Sequence, residues 1–156
     1  MKNLRSIIVI LVIVGGIAVV GFAFRDRLSG NAGELQVGDC FQVPDGDSIS
    51  DVQHQPCNEA HDGEVFVVAD YTGASTTYPT PEEFDAWVGT ACVNNAFPTY
   101  TGTAYDSRDD LDIGYFYPLE ENWGKGERQM ICYLTPVGVD SVTASYKQGQ
   151  AAPSSS

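Results

Sequence analysis

Two histidines, His54 and His61, and four cysteines, Cys40, Cys57, Cys92 and Cys132, are the side chains best suited to nucleophilic or metal chemistry in this 156-residue chain. His61, Asp62 and Glu64 stand almost together, just ahead of the apolar stretch Val65–Ala69. An imidazole and two carboxylates can share a divalent cation, but a specific site needs more ligands than these three neighbours supply. The simpler reading is a turn at Asp62-Gly63 whose acids are engaged by backbone amides or by Arg128. Arginine can hold a carboxylate with two parallel bonds, so Arg128 is expected to approach Asp62 or Glu64. His61, Asp62, Glu64 and Arg128 therefore form a candidate polar cluster, structural or recognitional. No catalytic residue, metal or cofactor is assigned.

The remaining catalytic patterns are poorly represented. A cysteine nucleophile at Asp39-Cys40 would need an activated, partly exposed thiol, commonly at a helix N-terminus. Cys40 instead lies in a strand-like stretch beside Phe41 and Val43, and a disulfide would consume it. No serine lies in G-x-S-x-G, and Gly124-Lys125-Gly126 lacks the rest of a phosphate loop. Counted from Asp106, a calcium loop would require Gly at the position held by Leu111 and Glu at that held by Tyr117. That segment reads as a charged turn before a strand. The four cysteines are widely dispersed, which suits two disulfides better than zinc. Three connectivities are allowed; Cys40–Cys57 and Cys92–Cys132 are predicted. The first would staple the opening strand to the chain leading into the central strand, and the second would pin the helix to the last strand.

The elements that must position these groups are legible from periodicity. Thr80, Pro81 and Glu83 make a capping box with proline at the first helical position. Phe84, Trp87, Val88, Ala91 and Cys92 then follow the stripe of a core-facing helix. The helix is predicted over Pro81 to Phe97, with Pro98 ending it. Strands are predicted at Glu34–Val43, Glu64–Ala69, Ile113–Leu119 and Glu127–Thr135. Trp87, Trp123 and Tyr115-Phe116-Tyr117 are read as packing aromatics rather than a sugar platform. The expected fold class is α+β: one small domain, a mostly antiparallel sheet with one main helix, and two disulfides.

Residues 7–24 form an uninterrupted apolar run of 18 residues, about 27 Å as a helix against a ~30 Å hydrocarbon core. It is longer than an ordinary signal core and is expected to be a retained signal-anchor rather than a cleaved leader. The first cysteine is Cys40, so lipoprotein processing is not expected. Residues 1–6 are then cytoplasmic, 7–24 a transmembrane anchor, 25–33 a linker, 34–140 an extracytoplasmic domain and 141–156 a disordered Ser/Ala/Gln/Gly tail. The disulfide expectation places the body outside the cytosol. Residues 28–156 hold four basic and twenty acidic side chains, a net −16. That charge argues against nucleic acid as a partner and suits a soluble exported surface.

Val37-Gly38-Asp39-Cys40-Phe41 and Pro56-Cys57-Asn58-Glu59-Ala60-His61-Asp62-Gly63-Glu64-Val65-Phe66 are the most distinctive passages. Tyr78-Pro79, Ala91-Cys92, Phe97, Tyr100-Thr101-Gly102, Pro118, Trp123, Gly126-Glu127-Arg128 and Cys132 follow in order. Together these resemble the septum-formation family of membrane-anchored and secreted actinobacterial domains, over roughly residues 35–134. The resemblance implies an extracytoplasmic domain tied to the cell envelope and to septum formation, without established catalytic chemistry. The expected function is a non-enzymatic, single-pass, membrane-anchored interaction module whose partners are envelope or division proteins. The alternatives are an exported domain binding a small ligand or divalent cation and, more remotely, a cell-wall hydrolase.

Overall fold

The computed structural model describes residues 29–30, 32–44 and 52–149. The apolar run 7–24, the segment 1–6 and most of the linker lie outside the described residues, as does the chain beyond 149. Among the described residues no helix is long and apolar enough to cross a membrane.

Among the described residues six strands form one sheet: β1 (Ser29–Gly30), β2 (Cys40–Gln42), β3 (Val52–Gln55), β4 (Gly63–Asp70), β5 (Leu111–Phe116) and β6 (Gln129–Pro136). Their order is β1-β3-β2-β4-β6-β5, and each pairing is antiparallel. β4 and β6 form the long central ladder, in which Glu64 faces Leu134 and Asp70 faces Gln129. A register shift between Val65 and Val67 leaves Phe66 as the extra residue on β4, a bulge that sharpens local twist.

Both sheet faces are covered, so β4 is apolar on each side. On one face Phe66, Met130, Cys132 and Leu134 pack beneath Phe84, Val88, Cys92, Phe97 and Tyr100 of the helical segment. On the other, Val65, Ile131, Phe41 and Phe116 pack with Ala32 and Leu35. Ala32–Glu34 is a short 3-10 turn, so the expected strand Glu34–Val43 shrinks to β2. Strand β3 was not anticipated: Val52-Gln53-His54-Gln55 has a single apolar residue, and β2 supplies its pairing instead.

Helix α1 (Pro81–Val88) carries the expected capping box and buries Phe84, Trp87 and Val88. The helical segment it opens does not stop at Pro98 as expected. Residues Gly89–Ala96 widen into a π-helical stretch, and α2 (Phe97–Thr101) follows it directly. Phe97 N–H donates to Cys92 O, five residues back. The wider turn continues into a first turn where Pro98, lacking an N–H, is tolerated. Termination comes at Gly102, whose φ of 80° is left-handed and favours glycine.

Both predicted disulfides are present. Cys40–Cys57 closes across 17 residues with Cα atoms 5.2 Å apart, and Cys92–Cys132 across 40 residues with Cα atoms 6.4 Å apart. The second ties the π-helical stretch to β6.

The segment 141–149 is not a loose tail. Val142 and Tyr146 are buried. His61 and Val142 exchange two backbone hydrogen bonds of 3.0 and 2.8 Å, and Gln148 N–H donates to Tyr100 O at 2.7 Å. The composition here is poor in apolar residues, but Val142 and Tyr146 both reach the core.

Candidate functional site

Glu64 is fully buried where β4 begins, and the surrounding chain supplies donors to its carboxylate. Tyr100 Oη–H donates to Oε1 at 2.7 Å and Ser145 Oγ–H to the same oxygen at 2.5 Å. Tyr146 N–H donates to Oε2 at 2.7 Å. A carboxylate offers roughly four acceptor positions, so one remains. Burial, followed by the hydrogen bond to Glu64, raises the Tyr100 phenol well above the usual tyrosine range. Burial, followed by the charges of Asp110 and Glu64, pushes Tyr146 up to about 12, with Arg108 opposing.

His61 is equally buried. Its Nδ1 lies 2.8 Å from the carbonyl of Glu59, and only a protonated nitrogen can donate to a carbonyl, so Nδ1 carries a hydrogen. Nε2 is buried with no hydrogen-bond partner. A His61 ring nitrogen, a Glu64 carboxylate oxygen and Cys40 Sγ all lie within 4.8 Å of one another. The grouping follows from the sheet, because Cys40 on β2 faces Glu64 on β4.

The predicted polar cluster is thus only partly assembled. His61 and Glu64 come together. Asp62 Oδ1 accepts from Val43 N–H at 2.6 Å. Arg128 corrects the expectation outright. It precedes the end of the ladder where Gln129 faces Asp70, roughly 20 Å along the strand from Glu64 at the usual rise per residue. Its guanidinium sits 3.6 Å over the Trp123 ring and donates to the carbonyls of Trp123 and Glu127 at 2.8 and 2.7 Å. The indole face and local carbonyls engage it. Tyr100 belongs to one of the motifs that carry the family resemblance, but nothing local links it, Ser145 or Tyr146 to Glu64, the three being 36, 81 and 82 residues away from it.

Arg128 borders a second feature, an open cleft of about 600 Å³ between the β5–β6 end of the sheet and the segment 117–122. Tyr115, Tyr117 and Leu119 give it apolar surface, while Glu34, Asp70 and Glu127 give it acid. Tyr117 and Leu119 are each 48% exposed. Phe84 backs Tyr117 with ring centroids 4.8 Å apart. Trp87 and Trp123, by contrast, are buried, as packing aromatics should be.

The sequence model described as "Septum formation" matches residues 37–155, including the segment 141–149 that closes over Glu64. The chain belongs to that septum-formation family. No curated protein matches the chain, and no solved structure matches it.

Proposed function

We propose that this septum-formation family member is a membrane-anchored, extracytoplasmic, non-enzymatic interaction module of the cell envelope with a septum-related role. The observation that carries the reading is the open cleft, in which exposed Tyr117 and Leu119 are surrounded by Glu34, Asp70 and Glu127. Exposed aromatics set beside satisfied polar groups are the usual anchors of protein recognition. The acidic rim suits a partner segment that pairs apolar side chains with Lys or Arg. Absence of catalysis is supported by Cys40 being bonded to Cys57 and by the full burial of His61 and Glu64. Anchoring is supported by the apolar run 7–24 and export by the two disulfides.

Site-specific photocrosslinking in intact cells tests this. A photoreactive residue at position 119 should give a discrete adduct with an envelope or division protein. Tyr117→Ser should abolish that adduct while the protein stays folded at the assay temperature, with a melting temperature lowered only by the loss of the Phe84 contact, about 0.5–1.5 kcal/mol. A label at Val139, remote from the cleft residues, should give none. Equal adducts from both positions, or none from position 119, would sink the proposal. Added protease should digest the body in intact spheroplasts; protection until lysis would refute the orientation.

A further inference from the structure

The buried group at the head of β4 holds an arrangement that a purely structural role for His61 leaves unexplained. Its Nε2 is enclosed and unpartnered, which costs free energy unless something else meets it. The nitrogen is set up as a metal-ligating imidazole is, with the opposite ring N–H donated to a backbone carbonyl. A His61 ring nitrogen, a Glu64 oxygen and Cys40 Sγ lie within 4.8 Å of one another, and Glu64 retains an unused acceptor position. One obstacle prevents a metal site: the Cys40 sulfur is bonded to Cys57.

We propose that reduction of the Cys40–Cys57 disulfide converts this cluster into a zinc site with Cys40, Cys57, His61 and Glu64 as its four ligands. The set supplies two thiolates, one imidazole and one carboxylate, ligand types suited to tetrahedral zinc. Once the bond is cleaved the two sulfurs can separate from bonding distance while staying on the same metal. The His61-to-Glu59 hydrogen bond remains as its outer-shell support.

Access is asymmetric in a way that suits the reaction. Cys57 is partly exposed, whereas Cys40 is buried. A dithiol reductant attacks the Cys57 sulfur, forming a mixed disulfide and expelling Cys40 as a thiolate beside His61. The reductant's second thiolate then displaces Cys57, so the reductant leaves as its own disulfide and the protein gains two electrons. Protons taken up by either thiol are released when zinc binds. The Cys92–Cys132 pair, with both cysteines fully buried, offers no comparable point of attack.

The test uses the full chain in mild detergent under anaerobic conditions, with cobalt(II) as a spectroscopic stand-in and a chromophoric chelator to rank zinc affinity. Reduction in the assay uses a phosphine in place of the dithiol, which consumes one water per disulfide, gives two thiols and phosphine oxide, and adds no competing thiol. The reduced protein should bind one cobalt per chain, with tetrahedral ligand-field bands and thiolate-to-metal charge transfer; the oxidised protein should show neither. Cys57→Ser should bind without reductant, because Cys40 is then free while Cys92–Cys132 stays intact. His61→Gln should weaken zinc binding by more than the roughly 10–100-fold that loss of an outer-shell partner costs. Equal binding by oxidised and reduced protein, no binding after reduction, or an unchanged affinity in His61→Gln would each overturn the proposal. Loss of the near-ultraviolet circular dichroism with zinc present, in both the reduced protein and Cys57→Ser, would overturn it as well.

Discussion

Replacing Tyr100 by phenylalanine keeps the ring that packs on Phe66, whose centroid is 6.0 Å away, and deletes only the hydroxyl that donates to Glu64. Ser145 still donates to the same oxygen and Tyr146 N–H to the other. The carboxylate therefore loses one of three donors while remaining fully buried. A hydrogen bond to a charged group contributes about 1.5–3 kcal/mol, and no water replaces the lost donor unless the site opens. At about 4 °C per kcal/mol for a domain near 100 residues, Tyr100→Phe should melt roughly 6–12 °C below the parent. The assay is thermal unfolding of the full chain in detergent, followed by near-ultraviolet circular dichroism. Glu64→Gln should also destabilise, because its amide NH2 replaces one of the two oxygens to which Tyr100, Ser145 and Tyr146 N–H now donate. The double variant should fall short of the sum, since the two residues share one bond. A Tyr100→Phe loss below about 0.5 kcal/mol, the range of ordinary surface changes, would refute the view that this bond helps hold α2 to β4.

Alkaline stability should follow the same group. Tyr100 and Tyr146 titrate higher in the folded protein than the ordinary tyrosine value of 10.0, so their contribution is intact below about pH 10 and is lost as pH rises beyond it. Each contributes a limiting slope of about 1.4 kcal/mol per pH unit; denaturant midpoints measured from pH 8 upward should fall only above 10, and less steeply in Tyr100→Phe. Gly63→Ala should destabilise by about 1–3 kcal/mol through overpacking, since its Cβ would lie 2.5 Å from the Phe41 ring and Phe41 is wholly buried; an unchanged melting temperature would contradict that packing. Chain entropy assigns about 3 kcal/mol to Cys40–Cys57 and about 4 to Cys92–Cys132, so paired alanine variants should rank in that order, and mild reduction with alkylation should label Cys57 first. Arg128→Ala should cost about 1–2 kcal/mol by exposing the Trp123 face, and its effect should add to that of Glu64→Gln; a strong coupling between the two would restore the ion pair that the structure replaces.

Local chemistry carried much of this molecule into view. Thr80, Pro81 and Glu83 announce α1, because each satisfies a backbone need within one turn. The alternating residues of β6 place Met130, Cys132 and Leu134 on one face and Ile131 on the other, a period-two signal that needs no partner to be read. The disulfide pairing followed from which predicted elements had to meet. Pro98 misled because a local rule stops a normal helix there, whereas a widened turn stabilised by packing and by Cys92–Cys132 carries the chain through. The segment 141–149 misled for the opposite reason, since its order comes from Val142 and Tyr146 docking on residues some 80 positions earlier. Arg128 and Glu64 were paired by charge, yet the register of β4 and β6 puts them at opposite ends of one ladder. Sequence by itself determined the capped helix, the central strands, the disulfide pairing and the acidic character of the body, because these depend on residue type and short spacings. Only the tertiary structure decided that Cys40, His61, Glu64, Tyr100 and Ser145 share one buried site, because strand register and the closing segment bring them together, and no local spacing encodes that meeting.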